Sequence, residues 1–182
     1  MPTIFTHALV TGLLGKGIRP QQGAKSVALC ALCGVLPDLD GVGFHLGVPY
    51  LHVWGHRGAS HSLAFALAAG LLLGLLFAEH KRLSGRLGRG LFFGALIASH
   101  PLLDMLTTGG HGVALFAPLD HTRQFFPDAY RVIRVSPMSV SPRLITALMS
   151  ELYWVWAPTL ALYVGMRSIS ALIKRGGRPQ AE

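Results

Sequence analysis

The sequence is poor in charged residues, and acidic residues are the scarcest of them. Asp and Glu account for only 8 of 182 residues, and all charged residues together make up 13% of the chain. A soluble domain carries roughly a quarter charged residues, so this chain has too little charge to cover a surface that faces water. Because its hydrophobic content is 51% and its mean hydropathy is +0.47, we expect an integral membrane protein.

Cysteine is nearly absent, and no export signal is evident. The two cysteines, Cys30 and Cys33, lie in an apolar stretch, whereas a structural zinc site would need two further soft ligands nearby. We therefore interpret the pair as small buried core residues. The first residues contain no basic stretch and include His7, so we expect no cleavable signal peptide.

Positive charge is in excess, with a formal net charge of +8. The basic residues form short runs between apolar segments, which is more typical of cytoplasmic loops than of a nucleic-acid footprint. We therefore expect contacts with membrane lipids and no binding of nucleic acid.

Five apolar segments predict an all-α fold, a polytopic membrane helical bundle of about five spans in a single domain covering residues 1–182. The first two segments are short for crossing a membrane alone, and we interpret them as a tilted pair within the bundle. Glycines in the segments would allow close helix approach, and Pro158 is expected to kink the last one. The segments are 7–15, 24–36, 62–78, 91–106 and 152–166.

The basic residues are distributed unevenly between the two ends of these segments. Eleven of the 16 Lys and Arg residues lie at one end, in the connections at 16–25 and 81–90 and after the last segment. The positive-inside rule makes that end cytoplasmic. The prediction is therefore an N-terminus outside and a C-terminus in the cytoplasm.

Four short clusters of His and Asp lie at the edges of the apolar segments, and three of the 8 acidic residues belong to them. In the predicted topology, all four clusters lie at the outer membrane face. A chain that is poor in carboxylates but places them beside imidazoles is expected to bind a metal ion there. The clusters contain His7, Asp38 with Asp40, His56 with His61, and His100 with Asp104.

His100 and Asp104 are four residues apart, so a helix presents both on one face. That spacing suits two ligands of one ion, and Pro101 loosens the helix beside them because it has no N–H to donate. The simpler alternative is a His–Asp hydrogen bond that fills a polar spot in the bundle. Ionisable residues inside a membrane are costly, which favours a functional role.

His56 and His61 are five residues apart and cannot share one helix face. We expect residues 56–58 to form a loop, Ser60 to cap the next helix and His61 to lie in its first turn. Arg57, between the histidines, could grip a phosphate or carboxylate through two hydrogen bonds, or pair with an Asp.

Asp38 and Asp40 follow Pro37 in a predicted extended turn, where their carboxylates would point to opposite sides. One carboxylate could bind a metal ion while the other orients a histidine. The alternative is a solvated turn in which an Asp caps the backbone.

Residues 107–143 are too many for a bare connection in a compact bundle. We interpret them as an external, lid-like segment over the outer face, whose arginines could hold an anionic substrate or lipid head groups. His121 in this segment is an additional candidate for the site.

The motifs taken together resemble the YdjM-type family of bacterial inner-membrane proteins, which are described as metal-dependent hydrolases. The order of His and Asp is also distantly similar to that of zinc-dependent phospholipase C proteins, which bind a zinc cluster. Gly41 stands where related sequences often have His, so the resemblance implies that one ligand is either missing or supplied elsewhere, with His45 and His121 as candidates. The resemblance covers about residues 1–120 and is carried by His7, 36–40 (Leu-Pro-Asp-Leu-Asp), 55–63 (Gly-His-Arg-Gly-Ala-Ser-His-Ser-Leu), 99–107 (Ser-His-Pro-Leu-Leu-Asp-Met-Leu-Thr) and 112–118 (Gly-Val-Ala-Leu-Phe-Ala-Pro).

The favoured function is metal-dependent hydrolysis of a phosphoester or a lipid-linked substrate in the bacterial inner membrane. The imidazoles favour Zn²⁺ as the divalent metal. A carrier of metal ions or protons is the first alternative, although residues 62–76 and 91–98 offer almost no polar path. A membrane binding module with a structural metal is the second. The candidate metal ligands are His7, Asp40, His56, His61, His100 and Asp104, and the candidate catalytic residues are Asp38, Asp40 and Arg57.

Overall fold

The computed structural model describes residues 1–77, 82–136 and 141–176, with side chains up to residue 173. Within these ranges the fold is all-helical, and extended pairing is limited to two isolated bridges, Thr107 with Ile133 and Val113 with Gln124. The α-helices are α1 (Ile4–Ile18), α2 (Ala24–Val35), α3 (Val42–His45), α4 (Leu63–Phe77), α5 (Leu83–Met105), α6 (Pro142–Glu151) and α7 (Ala157–Gly176). Short 3₁₀ turns are formed by Leu36–Gly41, Ala59–His61 and Asp128–Tyr130.

Each of the five predicted apolar segments coincides with one long helix, namely α1, α2, α4, α5 or α7, which confirms the all-α class. The predicted end of the third segment, Ala78, lies outside the described residues. The loop predicted at 81–90 is wrong over most of its length, because α5 already begins at Leu83. The leucines at 83, 87 and 91 recur every four residues, and the basic residues between them do not interrupt this helical spacing.

Helices α4 and α5 are antiparallel neighbours that touch through glycines. A Cβ atom at Gly70 would collide with the backbone of Gly94, and a Cβ atom at Gly74 would collide with the backbone of Gly90. Only glycine leaves room for backbones this close. These four residues therefore fix how α5 crosses α4, as predicted.

Helices α1 and α2 also approach closely at the end that carries the His/Asp residues. A Cβ atom at Gly34 would collide with the carbonyl oxygen of His7. The hydroxyl of Thr11 donates to the same carbonyl at 2.9 Å. The approach therefore sets His7 directly against the end of α2.

An apolar core fills the space between α2, α4 and α5 below the His/Asp residues. Both cysteines are free and at most 1% exposed, which confirms their interpretation as core residues. The buried members of this core are Cys30, Cys33, Ala66, Phe93, Leu96 and Ile97.

A π-helical turn, Leu152–Trp156, joins α6 to α7. Pro158 follows this turn, and its nitrogen cannot donate to the carbonyl of Trp154 while its ring crowds the preceding turn. A π-helical turn widens the helix at such a point. The distortion expected from Pro158 therefore takes the form of this turn.

Large apolar side chains on the helices face outward. Leu67 and Leu76 on α4, Leu91 on α5 and Leu172 on α7 are 48% to 65% exposed. Among the described residues, only one helical stretch, Ala24–His45, is long and apolar enough by length and composition to cross a membrane. Helices α1 and α4 are apolar but have 15 residues each, which makes them about 22 Å long.

After α5 the chain runs across the end of the bundle that carries the His/Asp residues. The backbone N–H of Ala114 donates to the carbonyl of Arg57, and that of Leu63 donates to the carbonyl of Leu115, both at 3.0 Å. The guanidinium of Arg123 donates to the carbonyls of His56 at 2.8 Å and Tyr50 at 2.9 Å. The described part of segment 107–143 is thus packed against the loop before α4.

Candidate metal centre

The folded chain brings all four His/Asp clusters to one end of the bundle. They come from α1, from the 3₁₀ turn after α2, from the loop and turn before α4, and from the last turns of α5. Three overlapping groups have donor atoms within 4.8 Å of one another: His7 with Asp38 and His100, Asp38 with His56 and His61, and His61 with His100 and Asp104.

The middle of the cluster is the space between the imidazoles of His61 and His100, whose Nε2 atoms are 3.1 Å apart. Asp38 Oδ1 lies 3.6 Å from Nε2 of His61 and 3.4 Å from Nε2 of His100. Asp104 Oδ2 lies 3.8 Å from His61 Nε2. His61, His100 and Asp104 are each 0% exposed, so these donor atoms converge in a buried space.

The hydrogen bonds of the outer ring nitrogens fix the tautomer that each histidine adopts when neutral. His100 Nδ1 is 2.6 Å from the carbonyl oxygen of Gly34, and a carbonyl can only accept, so Nδ1 carries the hydrogen. His61 Nδ1 is 3.0 Å from Asp40 Oδ2, and a carboxylate also only accepts. In the neutral rings both Nε2 atoms therefore carry lone pairs. Two lone pairs that face each other repel unless a proton or a metal ion lies between them.

Several buried polar atoms around this space have no hydrogen-bond partner among the described residues. They include both oxygens of Asp38, Oδ1 of Asp104 and both nitrogens of His7. His7 Nε2 is 3.5 Å from Asp104 Oδ1, and its ring stacks on His100 at 3.7 Å. An unsatisfied buried polar group costs about 1–3 kcal/mol. Imidazole nitrogens and carboxylate oxygens are the donors that Zn²⁺ and similar divalent cations take, so the residues fit such an ion.

The charges of the cluster lead to the same assignment. The cluster holds three carboxylates, those of Asp38, Asp40 and Asp104, and one guanidinium, that of Arg57, which pairs with Asp104. Negative side-chain charge therefore exceeds positive side-chain charge by two when the imidazoles are neutral. Burial lowers the pKa of His61, but the carboxylates around it outweigh burial and raise this pKa to about 9. The pocket therefore attracts positive charge.

Asp40 lies on the outer side of the cluster and binds groups behind the histidines. Its Oδ1 accepts from Nδ1 of His56 at 2.8 Å, and its Oδ2 accepts from the hydroxyl of Ser60 at 2.6 Å and the backbone N–H of Arg57 at 3.2 Å. The predicted extended turn is wrong, because Leu36–Gly41 forms a 3₁₀ helix. Three residues per turn send positions two apart to different sides, so Asp38 points inward and Asp40 does not.

The entry into α4 also differs from the sequence prediction. Ser60 does not cap the helix, since its hydroxyl binds Asp40. The hydroxyl of Ser62 instead accepts from the backbone N–H of Phe65 at 3.0 Å and caps α4. His61 therefore lies in the 3₁₀ turn Ala59–His61 before the helix rather than in its first turn.

Arg57 is 1% exposed, and its guanidinium is bound by protein groups. Its Nε donates to Asp104 Oδ2 at 2.8 Å, one terminal nitrogen to the Thr107 hydroxyl at 3.2 Å, and the other to the Gly109 carbonyl at 3.1 Å. Its φ of 61° lies in the left-handed region that side chains disfavour. Arg57 thus ties Asp104 to the start of segment 107–143, so of the two sequence interpretations the Asp pairing is the one observed.

Sequence reasoning missed Glu151, a carboxylate at the end of α6 that is 0% exposed. It accepts from the backbone N–H of Thr3 at 2.8 Å and from the hydroxyls of Thr3 and Thr6. These bonds hold the first turn of α1, where His7 lies. The available signal was an acidic residue at the edge of an apolar segment, but its partners are about 150 positions away in the chain.

Two sequence candidates lie apart from this centre. His45 and His121 are exposed and belong to none of the three groups. Conversely, the carbonyl of Gly34 and the hydroxyl of Thr107 contribute to the centre, although the sequence predicted neither as a site residue. A carbonyl leaves no mark in the sequence, and a threonine acquires its role only when Arg57 reaches it.

Comparisons with known proteins identify the family of this chain. The family model described as YdjM inner membrane protein matches residues 1–173. Inner membrane protein YbcI of Escherichia coli (strain K12) is 37% identical over 167 residues, which cover 89% of this chain and 95% of that protein. No solved structure matches the chain. Since the family model spans nearly the whole chain, the protein belongs to the YdjM family of inner membrane proteins.

Proposed function

We propose that the protein is a metal-dependent hydrolase of the bacterial inner membrane that acts on a phosphoester or a lipid-linked substrate. The observation that carries this proposal is the pair of Nε2 atoms of His61 and His100, 3.1 Å apart in a buried space. Asp38 and Asp104 add carboxylate oxygens with no partner among the described residues. Divalent cations, with Zn²⁺ favoured by the imidazoles, would find their usual ligands in these acceptors.

The groups that face the buried space are the proposed metal ligands. The proposal assigns His61, His100 and Asp104 to one ion, and the overlapping group of His7, Asp38 and His100 would hold the same or a neighbouring ion. A divalent cation, when bound, supplies Lewis acidity that polarises a phosphoester and makes water more acidic. Asp40 and the Gly34 carbonyl hold the outer nitrogens of the two histidines, which keeps the inner nitrogens available as ligands.

His56 is the proposed proton acceptor. Its Nδ1 donates to Asp40, so in the neutral ring Nε2 can accept a proton. The side chains of His56 and Asp40 keep 11% and 5% exposure, whereas those of His61 and Asp104 have none. A substrate would therefore approach from the side of His56. Arg57 is already bound to Asp104, Thr107 and Gly109 and acts as a positioning residue.

We also propose a multi-pass topology with the N-terminus outside and the C-terminus in the cytoplasm. Exposed apolar side chains on α4, α5 and α7 support contact with lipid, and the bias of basic residues supports the orientation. In this topology the centre faces outward, and segment 107–143 covers it as a lid. The hydrogen bonds that Arg57 and Arg123 make across this boundary support the lid.

A metal or proton carrier would need a polar route from the centre to the other end of the bundle. The apolar core of Cys30, Cys33, Phe93 and their neighbours lies along α2 and α5 below the centre. This core disfavours a route there and favours a site that opens on one side only.

The proposal is tested with the full chain purified in detergent and assayed on a panel of phosphodiesters, phosphomonoesters and phospholipids. We expect cleavage that a chelator abolishes and added Zn²⁺ or Mn²⁺ restores. The His61→Ala variant should lose this cleavage activity. The His45→Ala variant, which lacks an exposed histidine outside the three groups, should retain the activity. Metal or proton flux in proteoliposomes without hydrolysis of any substrate would contradict the hydrolase proposal and support the carrier.

A further inference from the structure

A polar cavity lies at the opposite end of the bundle, where α1 connects to α2. Its volume is about 370 Å³, and its lining includes Arg19 and Gln22 from this connection, Ser26 from α2 and Arg89 from α5. Arg89 and His100 are 11 residues apart on α5, or about 16 Å along its axis. The cavity is therefore distinct from the His/Asp centre.

Two guanidinium groups converge on this cavity. The guanidinium carbon of Arg19 is 5.0 Å from the centre of the Phe92 ring, and that of Arg89 is 5.5 Å from the centre of the same ring. Arg89 is 8% exposed, so its charge sits largely outside water. Guanidinium forks match the oxygens of a phosphate group and bind them through paired hydrogen bonds.

The start of α2 adds further hydrogen-bond donors to the lining of the cavity. Gly23 is the residue before the first turn, and no side chain caps that turn. The backbone N–H groups of the first turn are unused by the helix itself, and the positive end of the helix dipole lies there. Lys16 donates to the carbonyl of Gln22 at 2.5 Å, which fixes the connection beside the cavity.

We propose that this cavity binds a phosphate group, carried by an anionic phospholipid or supplied as free phosphate. Basic pockets between helices at a membrane surface are suited to anionic head groups, and the exposed apolar side chains of α5, such as Leu87 and Leu91, leave room for lipid beside the cavity. The two arginines bind the phosphate oxygens, and the Ser26 hydroxyl and the first-turn N–H groups of α2 complete the set of donors.

The test is native mass spectrometry of the full chain in detergent, titrated with phosphatidylglycerol, phosphatidylcholine or inorganic phosphate. We expect phosphatidylglycerol to bind at least about tenfold more tightly than phosphatidylcholine, and the double variant Arg19→Gln/Arg89→Gln to lose about tenfold or more in that affinity. Arg82→Gln removes one charge from an exposed position just before α5 that does not line the cavity. It should change the affinity less than about twofold, as expected of an exposed charge.

The two phosphate sources are separated by competition. Displacement of the lipid by inorganic phosphate would assign recognition to the phosphate group alone, and failure to displace an arginine-dependent lipid would assign it to the lipid head group. Arg19→Gln alone, at a half-buried position after α1, provides the comparison if the double variant does not fold. Equal affinity for the two lipids, or affinity that neither Arg19→Gln nor the double variant lowers, would overturn the proposal.

Discussion

Asp40 holds His61 from the side that faces away from the buried space, with its Oδ2 3.0 Å from Nδ1 of the imidazole. The hydroxyl of Ser60 donates to the same oxygen at 2.6 Å. Asp40 therefore determines which nitrogen of His61 is left as a lone pair, although it does not itself face His100.

Replacing Asp40 tests this orienting role. In Asp40→Asn the amide can donate to Nδ1, which would move the hydrogen of His61 to Nε2 and block the inner nitrogen. We expect metal affinity to fall by about 10–100-fold while the chain stays folded. Asp128→Asn, at a carboxylate that is 91% exposed, is the matched control. Competition with a fluorescent chelator measures the metal affinity of both variants. Equal affinities of Asp40→Asn and Asp128→Asn would contradict the orienting role of Asp40.

Asp38 and Asp104 differ in their partners, so their amide variants should differ in stability. Asp104 forms a buried ion pair with Arg57 at 2.8 Å, and removing one member of such a pair costs about 3–5 kcal/mol. Asp38 forms no hydrogen bond among the described residues, and the nearest imidazole nitrogens, on His100 and His61, are 3.4 and 3.6 Å from its carboxylate. We therefore expect Asp104→Asn to lower the unfolding temperature of the metal-free protein strongly and Asp38→Asn to lower it less. Both variants should weaken metal binding, and thermal unfolding with chelator present separates the two effects.

The glycine contact between α4 and α5 predicts a sharp contrast between two alanine substitutions. A methyl group at Gly74 would meet the backbone of Gly90, whereas one at Gly88 would meet nothing within 4 Å. Gly74→Ala should destabilise the bundle by about 1–3 kcal/mol, and Gly88→Ala should stabilise α5 by about 0.5–1 kcal/mol. Thermal unfolding in detergent gives the sign of each change, and equal effects would contradict the close crossing.

The proposed orientation predicts which cysteines a membrane-impermeant reagent can label. Leu46, beside Gly47, is 77% exposed at the end of the bundle that carries the His/Asp centre, and Ser84 is exposed near the start of α5 at the other end. In intact cells we expect labelling of Leu46→Cys and none of Ser84→Cys, with Cys30 and Cys33 silent because they are buried. Labelling of Ser84→Cys alone would reverse the topology.

The sequence was sufficient to predict the elements but not the partners at the centre. Apolar periodicity located the long helices, and the spacing of His100 and Asp104 placed both on one buried face of α5. The contact between Arg57 and Asp104 joins residues 47 positions apart, and no local pattern encodes such a pairing. The basic residues near the start of α5 predict a loop at 81–90, whereas the four-residue spacing of its leucines indicates the helix that the structure shows.

The local conformations at the site were the other feature that the sequence did not determine. An Asp-x-Asp after a proline suits an extended turn and a 3₁₀ turn alike, and only packing against the 59–61 turn selects the second. Glu151 was overlooked because its role depends on Thr3 and Thr6 at the opposite end of the chain.

The most direct test of the account is the divalent metal content of the full chain after purification in detergent with Zn²⁺ or Mn²⁺ present. Elemental analysis should find at least one ion per chain in the wild type. His61→Ala and His100→Ala should each lose it, and His45→Ala should keep it. A wild-type protein that carries no stoichiometric metal after supplementation, while folded by circular dichroism, would contradict the assignment of this buried space as a metal centre.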